Sequence, residues 1–135
     1  MKKETKKKII FWISIGVVFV LFLIFLSFLS IYADVKASCV RVQKTGQDCV
    51  TSLLDTVMSV ESGFNEKNTA IWALGQIADQ RALHLLLEIN QDLSYDGERC
   101  DYANEICKSE VERAMKWCNQ GNITNWMYKH QEWIK

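Results

Sequence analysis

This 135-residue chain predicts an all-α protein, in which one N-terminal transmembrane helix is followed by a short stack of α-hairpins. Three observations carry the prediction. Residues 9–33 form an apolar run with no charged side chain, and a run of that length can cross a bilayer. In the rest of the chain, apolar residues recur with the 3.6-residue period of helices. The stretch from Cys39 to Gln43 is the one candidate for a short strand. Proline is absent, which suits an interior made of helices.

The formal charge is zero, from 16 basic and 16 acidic residues, but the average hides three different segments. Residues 1–8 hold five Lys and one Glu (net +4), residues 9–33 hold no charge, and residues 34–135 hold eleven basic and fifteen acidic residues (net −4). Beside the apolar run there is room for one small domain. Disorder, a collagen-like chain and a freely soluble enzyme of normal size do not fit this composition.

At 1.5 Å per residue, the 25 residues of the run span roughly 37 Å, more than the hydrocarbon layer of about 30 Å. Only Gly16 and the hydroxyls of Ser14, Ser27 and Ser30 interrupt it, and a serine hydroxyl can bond back to its own helix. Lysines precede the run, whereas Asp34 and Lys36 nearly cancel beyond it. The positive-inside rule therefore puts the N-terminus in the cytoplasm and the C-terminal hundred or so residues outside. Trp12 and Tyr32 lie near its two ends, where amphipathic rings favour the membrane interface. A cleavable signal peptide is the rival reading, but its apolar core would be about 7 to 15 residues, and Cys39 follows Lys36, Ala37 and Ser38 rather than an apolar lipobox.

All five cysteines fall in the exported part, where an oxidising environment lets bridges persist. Their spacing suggests two local pairs, Cys39 with Cys49 and Cys100 with Cys107, leaving Cys118 as the unpaired thiol. Other connectivities stay open. A zinc site would favour C-x-x-C or H-x-x-x-H spacing, and neither occurs; His84 and His130 are isolated. No metal, cofactor or catalytic residue is therefore assigned.

Four segments follow: a basic tip at 1–8, the span at 9–33, a disulfide-tied linker at 34–47 and a helical domain at 48–135. A first domain helix begins after Thr45 or Gly46 and runs to about Ser59, with Cys49, Val50, Leu53, Leu54, Val57 and Met58 on one face. Gly63 breaks it, and Asn65 is suited to cap a second helix that carries Ala70, Ile71, Ala73, Leu74, Ile77 and Ala78. Asp79 can cap a third, with Ala82, Leu83, Leu86, Leu87 and Ile89 as its buried stripe. A polar loop runs from Asn90 to about Cys107. Ser109 and Glu112 then form a capping box for a fourth helix that ends near Cys118 and buries Val111, Ala114 and Met115. A last helix starts at Thr124 and aligns Trp126, Met127, Trp133 and Ile134.

Residues 65–87, N-E-K-N-T-A-I-W-A-L-G-Q-I-A-D-Q-R-A-L-H-L-L-L, resemble a HEAT repeat of the short bacterial, phycocyanobilin-lyase-like type. That motif has a helix ending A-L-G-x-I, an Asp turn, and R-A-x-x-x-L-L opening the next helix. Ala73, Leu74, Gly75, Ile77, Asp79, Arg81, Ala82, Leu86 and Leu87 occupy its positions. The basic tip, the single span, the S-C-V-R-V-Q-K-T-G-Q-D-C-V stretch at 38–50 and the N-I-T-N-W stretch at 122–126 are similar to small bacterial membrane-anchored HEAT-repeat proteins. A proline-containing loop usual in them is replaced here by the segment around Cys100 and Cys107. The resemblance implies architecture rather than activity. HEAT units normally need three or more copies to bury both faces, so disulfides, the terminal segment, a partner or the membrane surface must make up the difference.

Together these readings point to a membrane-tethered, extracytoplasmic HEAT-like interaction or scaffold module of the bacterial cytoplasmic membrane, with an unknown envelope protein as partner. There is no G-x-S-x-G, phosphate loop or H-E-x-x-H, so the chain is not read as an enzyme. Its exported part is acidic, which disfavours nucleic acid. The alternative is a lyase-like or thiol-dependent accessory enzyme, because similar HEAT units occur in bilin lyases and Cys118 lies beside Trp117. The C-terminal aromatics close a small core or lie on the bilayer. The sequon Asn122-Ile123-Thr124 carries no weight in a bacterium.

Overall fold

The computed structural model describes residues 3–93 and 100–134. Residues 94–99, in the middle of the expected polar loop, and the terminal Lys135 lie outside the described residues. The chain is helical without strands among those residues: α1 (Lys3–Val42), α2 (Cys49–Met58), α3 (Phe64–Ile77), α4 (Leu83–Asp92) and α5 (Lys108–Gln120), with short 3₁₀ turns at Gln80–Ala82 and Asn125–Met127. It divides into two compact units, Met1–Ala33 and Asp34–Lys135.

The first unit is the apolar part of α1. Its side chains are exposed, from Ile10 and Trp12 through Phe25. Ser14 Oγ donates to Ile10 O (2.9 Å) and Ser27 Oγ to Leu23 O (3.0 Å), which hides those hydroxyl protons in the helix. By length and composition this helix can cross a membrane or serve as a signal sequence.

The second unit begins with the last turns of α1. Residues 34–42, expected to belong to a linker with a short strand from Cys39, are helical instead. Val35, Ser38 and Cys39 are buried on one face, with Val42 half-buried below them. That is the i, i+3, i+4, i+7 spacing of a helix stripe, and it overrides the β-branched Val40 and Val42 that suggested a strand.

α2 starts at Cys49 because Asp48 caps it, its carboxylate accepting from Thr51 N (2.8 Å). α3 is entered through Gly63, two residues earlier than an Asn65 cap would allow. It ends at Ala78, whose backbone is left-handed (φ 57°) and whose N–H closes onto Leu74 O. Asp79 caps the 3₁₀ turn rather than α4 itself, accepting from Arg81 N (2.9 Å). α5 begins at Lys108 with Cys107 as its cap, so Ser109 lies inside the first turn and makes no capping box. Cys107 N instead donates to Asn68 Oδ1 (2.9 Å), which fixes where the helix starts.

α3 is the central helix, packed on α2 and on α5, while α4 packs on α5. The motif at 65–87 thus joins two helix pairs, α2 with α3 and α4 with α5, rather than forming one pair. Leu53, Ile71, Leu74, Leu86, Val50 and Val111 are fully buried between them. At the α3–α5 crossing, a β-carbon on Gly75 would lie 2.9 Å from Ala114 Cα and 3.1 Å from the Trp117 ring, so only glycine allows this approach.

Three apolar expectations change. Met58, placed on the buried face of α2, is 66% exposed, because it is the last residue of its helix. Leu87 is 42% exposed: α4 packs mainly on α5 among the described residues, and Leu83, Leu87 and Met115 border a groove open to solvent. The last helix reduces to the turn at Asn125–Met127. Trp126 is 63% exposed and Tyr128 is buried in its stead, while Ile134 is buried as expected.

Candidate functional site

The second unit is held together by polar joints at the places where its helices meet. Cys39 and Cys49 lie at disulfide distance (Cα–Cα 5.2 Å), joining the end of α1 to the start of α2. Cys100 and Cys107 do the same before α5 (Cα–Cα 5.6 Å). Cys39, Cys49 and Cys107 are fully buried.

A second joint surrounds Arg81. Its guanidinium pairs with Asp79 (2.9 Å) and with Asp48, so one side chain ties the cap of α2 to the cap of the 3₁₀ turn. Burial opposes ionisation of Asp48, yet hydrogen bonds from Thr51 and Arg81 outweigh it and hold the carboxyl below its ordinary pKa. At Asp79, too, burial is outweighed, by hydrogen bonds from Arg81. Arg81 meets Asp79 only two positions away in the chain, whereas its bond to Asp48 crosses 33 positions and has no local sequence signal.

Asn68 and Gln76 make the other joints, and both were missed in the sequence. Asn68 is fully buried, donates to Glu105 O (2.7 Å) and Tyr102 O (3.2 Å), and accepts from Cys107 N. It thereby staples the loop before α5 onto α3. The signal was there: Asn68 falls on the face of Ile71 and Gly75, three and seven residues on. Below it, Asn122 Nδ2 donates to Gly75 O (2.8 Å) and Thr124 Oγ1 to Gln76 Oε1 (2.8 Å), while Asn122 Oδ1 accepts from Thr124 N and Asn125 N. The residues that read as a sequon are thus committed to fastening the C-terminal segment.

Of the motif residues, Ala73, Leu74, Gly75, Ile77, Ala82 and Leu86 are buried, Asp79 and Arg81 form the charged joint, and Leu87 faces outward. Cys118 is buried, with its thiol directed at Leu74 O (3.7 Å). Burial, reinforced by the charge of Asp79, pushes its pKa up to about 12. Trp12 is exposed and Tyr32 half-buried. His84 and His130 are exposed and apart, and among the described residues no group of three or more His, Cys, Asp or Glu is placed to hold a metal ion.

Within the second unit a groove of about 200 Å³ lies between the end of α1, α2 and the start of α3. Val42, Leu53 and Ala70 give it an apolar floor, and Arg41 and Glu66 stand at it with opposite charges. A second, shallower groove follows α4 and α5 past Leu83, Leu87 and Met115. No protein-family model, curated protein or solved structure matches the chain.

Proposed function

We propose that this protein is a membrane-tethered interaction module: α1 anchors it in the bacterial cytoplasmic membrane, N-terminus inside, and the domain that follows docks another envelope protein outside. The observation that carries the proposal is the uncharged stretch of α1, whose apolar side chains are exposed from Ile9 through Leu26. Exposing so much apolar surface to water is costly, and lipid removes that cost. The lysines before the stretch supply the orientation. The two cysteine pairs at bonding distance support an oxidising compartment for the domain.

A HEAT-like reading of the domain is supported by its two stacked helix pairs and by the small-residue contact of Gly75 with Ala114. The open groove along α4 and α5 is where another pair would stack in a longer array. Repeat stacks of this kind present extended faces to other proteins. The burial of Cys118 favours packing over thiol chemistry for that residue.

The test is the mature protein itself. Alkaline washing of native membranes should leave it in the membrane fraction, and its N-terminal sequence should begin at residue 1 or 2. A mature start near residue 35 would replace the anchor with a cleaved signal peptide.

A further inference from the structure

We propose that the groove between the end of α1, α2 and α3 is where this module takes its partner, as a short extended peptide segment with an apolar residue between an acidic and a basic one. The proposal rests on the interaction-module reading above and adds to it a site and a ligand chemistry.

Three features of the groove point to that occupant. Its charges are opposite and unspent: Arg41 and Glu66 are exposed, and neither side chain has a partner among the described residues. Arg41 suits a carboxylate side chain and Glu66 a Lys or Arg. Three of its hydroxyls are spent as donors. Ser38 donates to Asp34 O (2.9 Å), Thr56 to Ser52 O (2.9 Å) and Thr69 to Asn65 O (2.7 Å), so each of these hydroxyl protons is used within its own helix. Their oxygen lone pairs remain for a ligand, and an extended peptide backbone brings N–H donors that match them. Its floor of Val42, Leu53 and Ala70 is apolar, and a cavity of this volume has room for about one large apolar side chain.

The surroundings add a fourth observation. The loop that contributes Ser62 to the groove also holds Val60, 96% exposed, and is flanked by Met58 at the end of α2, 66% exposed, and by Phe64 at the first position of α3, 42% exposed. Large apolar side chains gathered in and around one short loop beside a charged groove match the anatomy of a docking site, where apolar contacts give affinity and rim charges give orientation.

A photo-crosslinking amino acid placed at position 60 of the full-length protein, and separately at positions 87 and 126, tests this in native membranes. Position 60 should yield an adduct with a different protein, and the crosslinked peptide should carry an acidic and a basic residue around an apolar one. A synthetic peptide of that sequence should bind the full-length protein in nanodiscs. Arg41→Glu or Glu66→Lys should weaken it about tenfold, and the double reversal should bind the peptide whose own two charges have been exchanged. That rescue also shows the variant to be folded. Protein adducts from positions 87 or 126 alone would overturn the groove and leave the tethered module standing. Adducts from position 60 with lipid or with a second copy would overturn the groove as well. No protein adduct from any of the three positions would overturn both readings.

Discussion

Gly75 shows how much a single residue decides in this molecule. Alanine there would gain about 1 kcal/mol of helix propensity, but its β-carbon would press on the Ala114 backbone and the Trp117 ring. Overpacking costs about 1 to 3 kcal/mol, so the net effect of Gly75→Ala in urea unfolding should be a loss of up to about 2 kcal/mol. Gly63→Ala, with open space around it, should change stability by less than about 0.5 kcal/mol. Arg81 gives a prediction in pH. Asp48 and Asp79 are held below their ordinary pKa of 3.8, so the stability they contribute is fully present above that value and fades as pH falls through the depressed pKa values. Arg81 is half exposed, so Arg81→Gln should cost only about 1 kcal/mol at pH 7. The difference from wild type should shrink as pH falls below 3.8 and through the depressed pKa values; a difference that stays constant through acid unfolding would show that the carboxylates are not its source. Cys118 is the third case. With its pKa near 12, roughly one thiol in 10⁴ is ionised at pH 8. Maleimide labelling of the folded, unreduced protein should leave Cys118 unmodified until denaturant is added, and rapid labelling would revive a chemical role.

Among the elements, the C-terminal segment departs most from its sequence pattern. Thr124 and the aromatics after it read as an amphipathic helix, yet the Asn122 and Thr124 bonds to the end of α3 bend the chain into turns and bury Tyr128 instead of Trp126. Tyr128→Ala should therefore cost about 3 kcal/mol, whereas Trp126→Ala should cost less than about 1 kcal/mol; equal losses in thermal unfolding would restore the helix reading. The same contrast explains what the sequence could disclose. Helices α2, α3, α4 and α5 were legible from their apolar stripes and from breaks such as Gly63, although the start of α2 at Asp48, two or three residues after the expected Thr45 or Gly46, was not. The close approach at Gly75 was legible from small residues within the A-L-G-x-I pattern. Starts and stops set by distant partners were not. Cys107 rather than Ser109 heads α5 because Asn68, 39 positions away, holds its N–H. The last turns of α1 read as a linker because their buried face is only Val35, Ser38 and Cys39.

For the whole molecule, the zero net charge resolves into a cationic tip, an uncharged helix segment and an acidic domain, and each part has its own physical task. In the proposed topology the tip sets orientation and the apolar stretch of α1 lies in lipid, and the domain gains stability from bridges and buried joints that a small core cannot replace alone. In this account the groove beside Arg41 and Glu66 is the working surface, and it is useful only if the domain lies outside the cell membrane, where an envelope partner can reach it. The most direct measurement is protease digestion of spheroplasts that express the full-length chain, with a cytoplasmic protein as the integrity control. The domain should be degraded while the control survives, leaving an N-terminal membrane fragment. A domain that stays intact until the membrane is permeabilised would contradict the account.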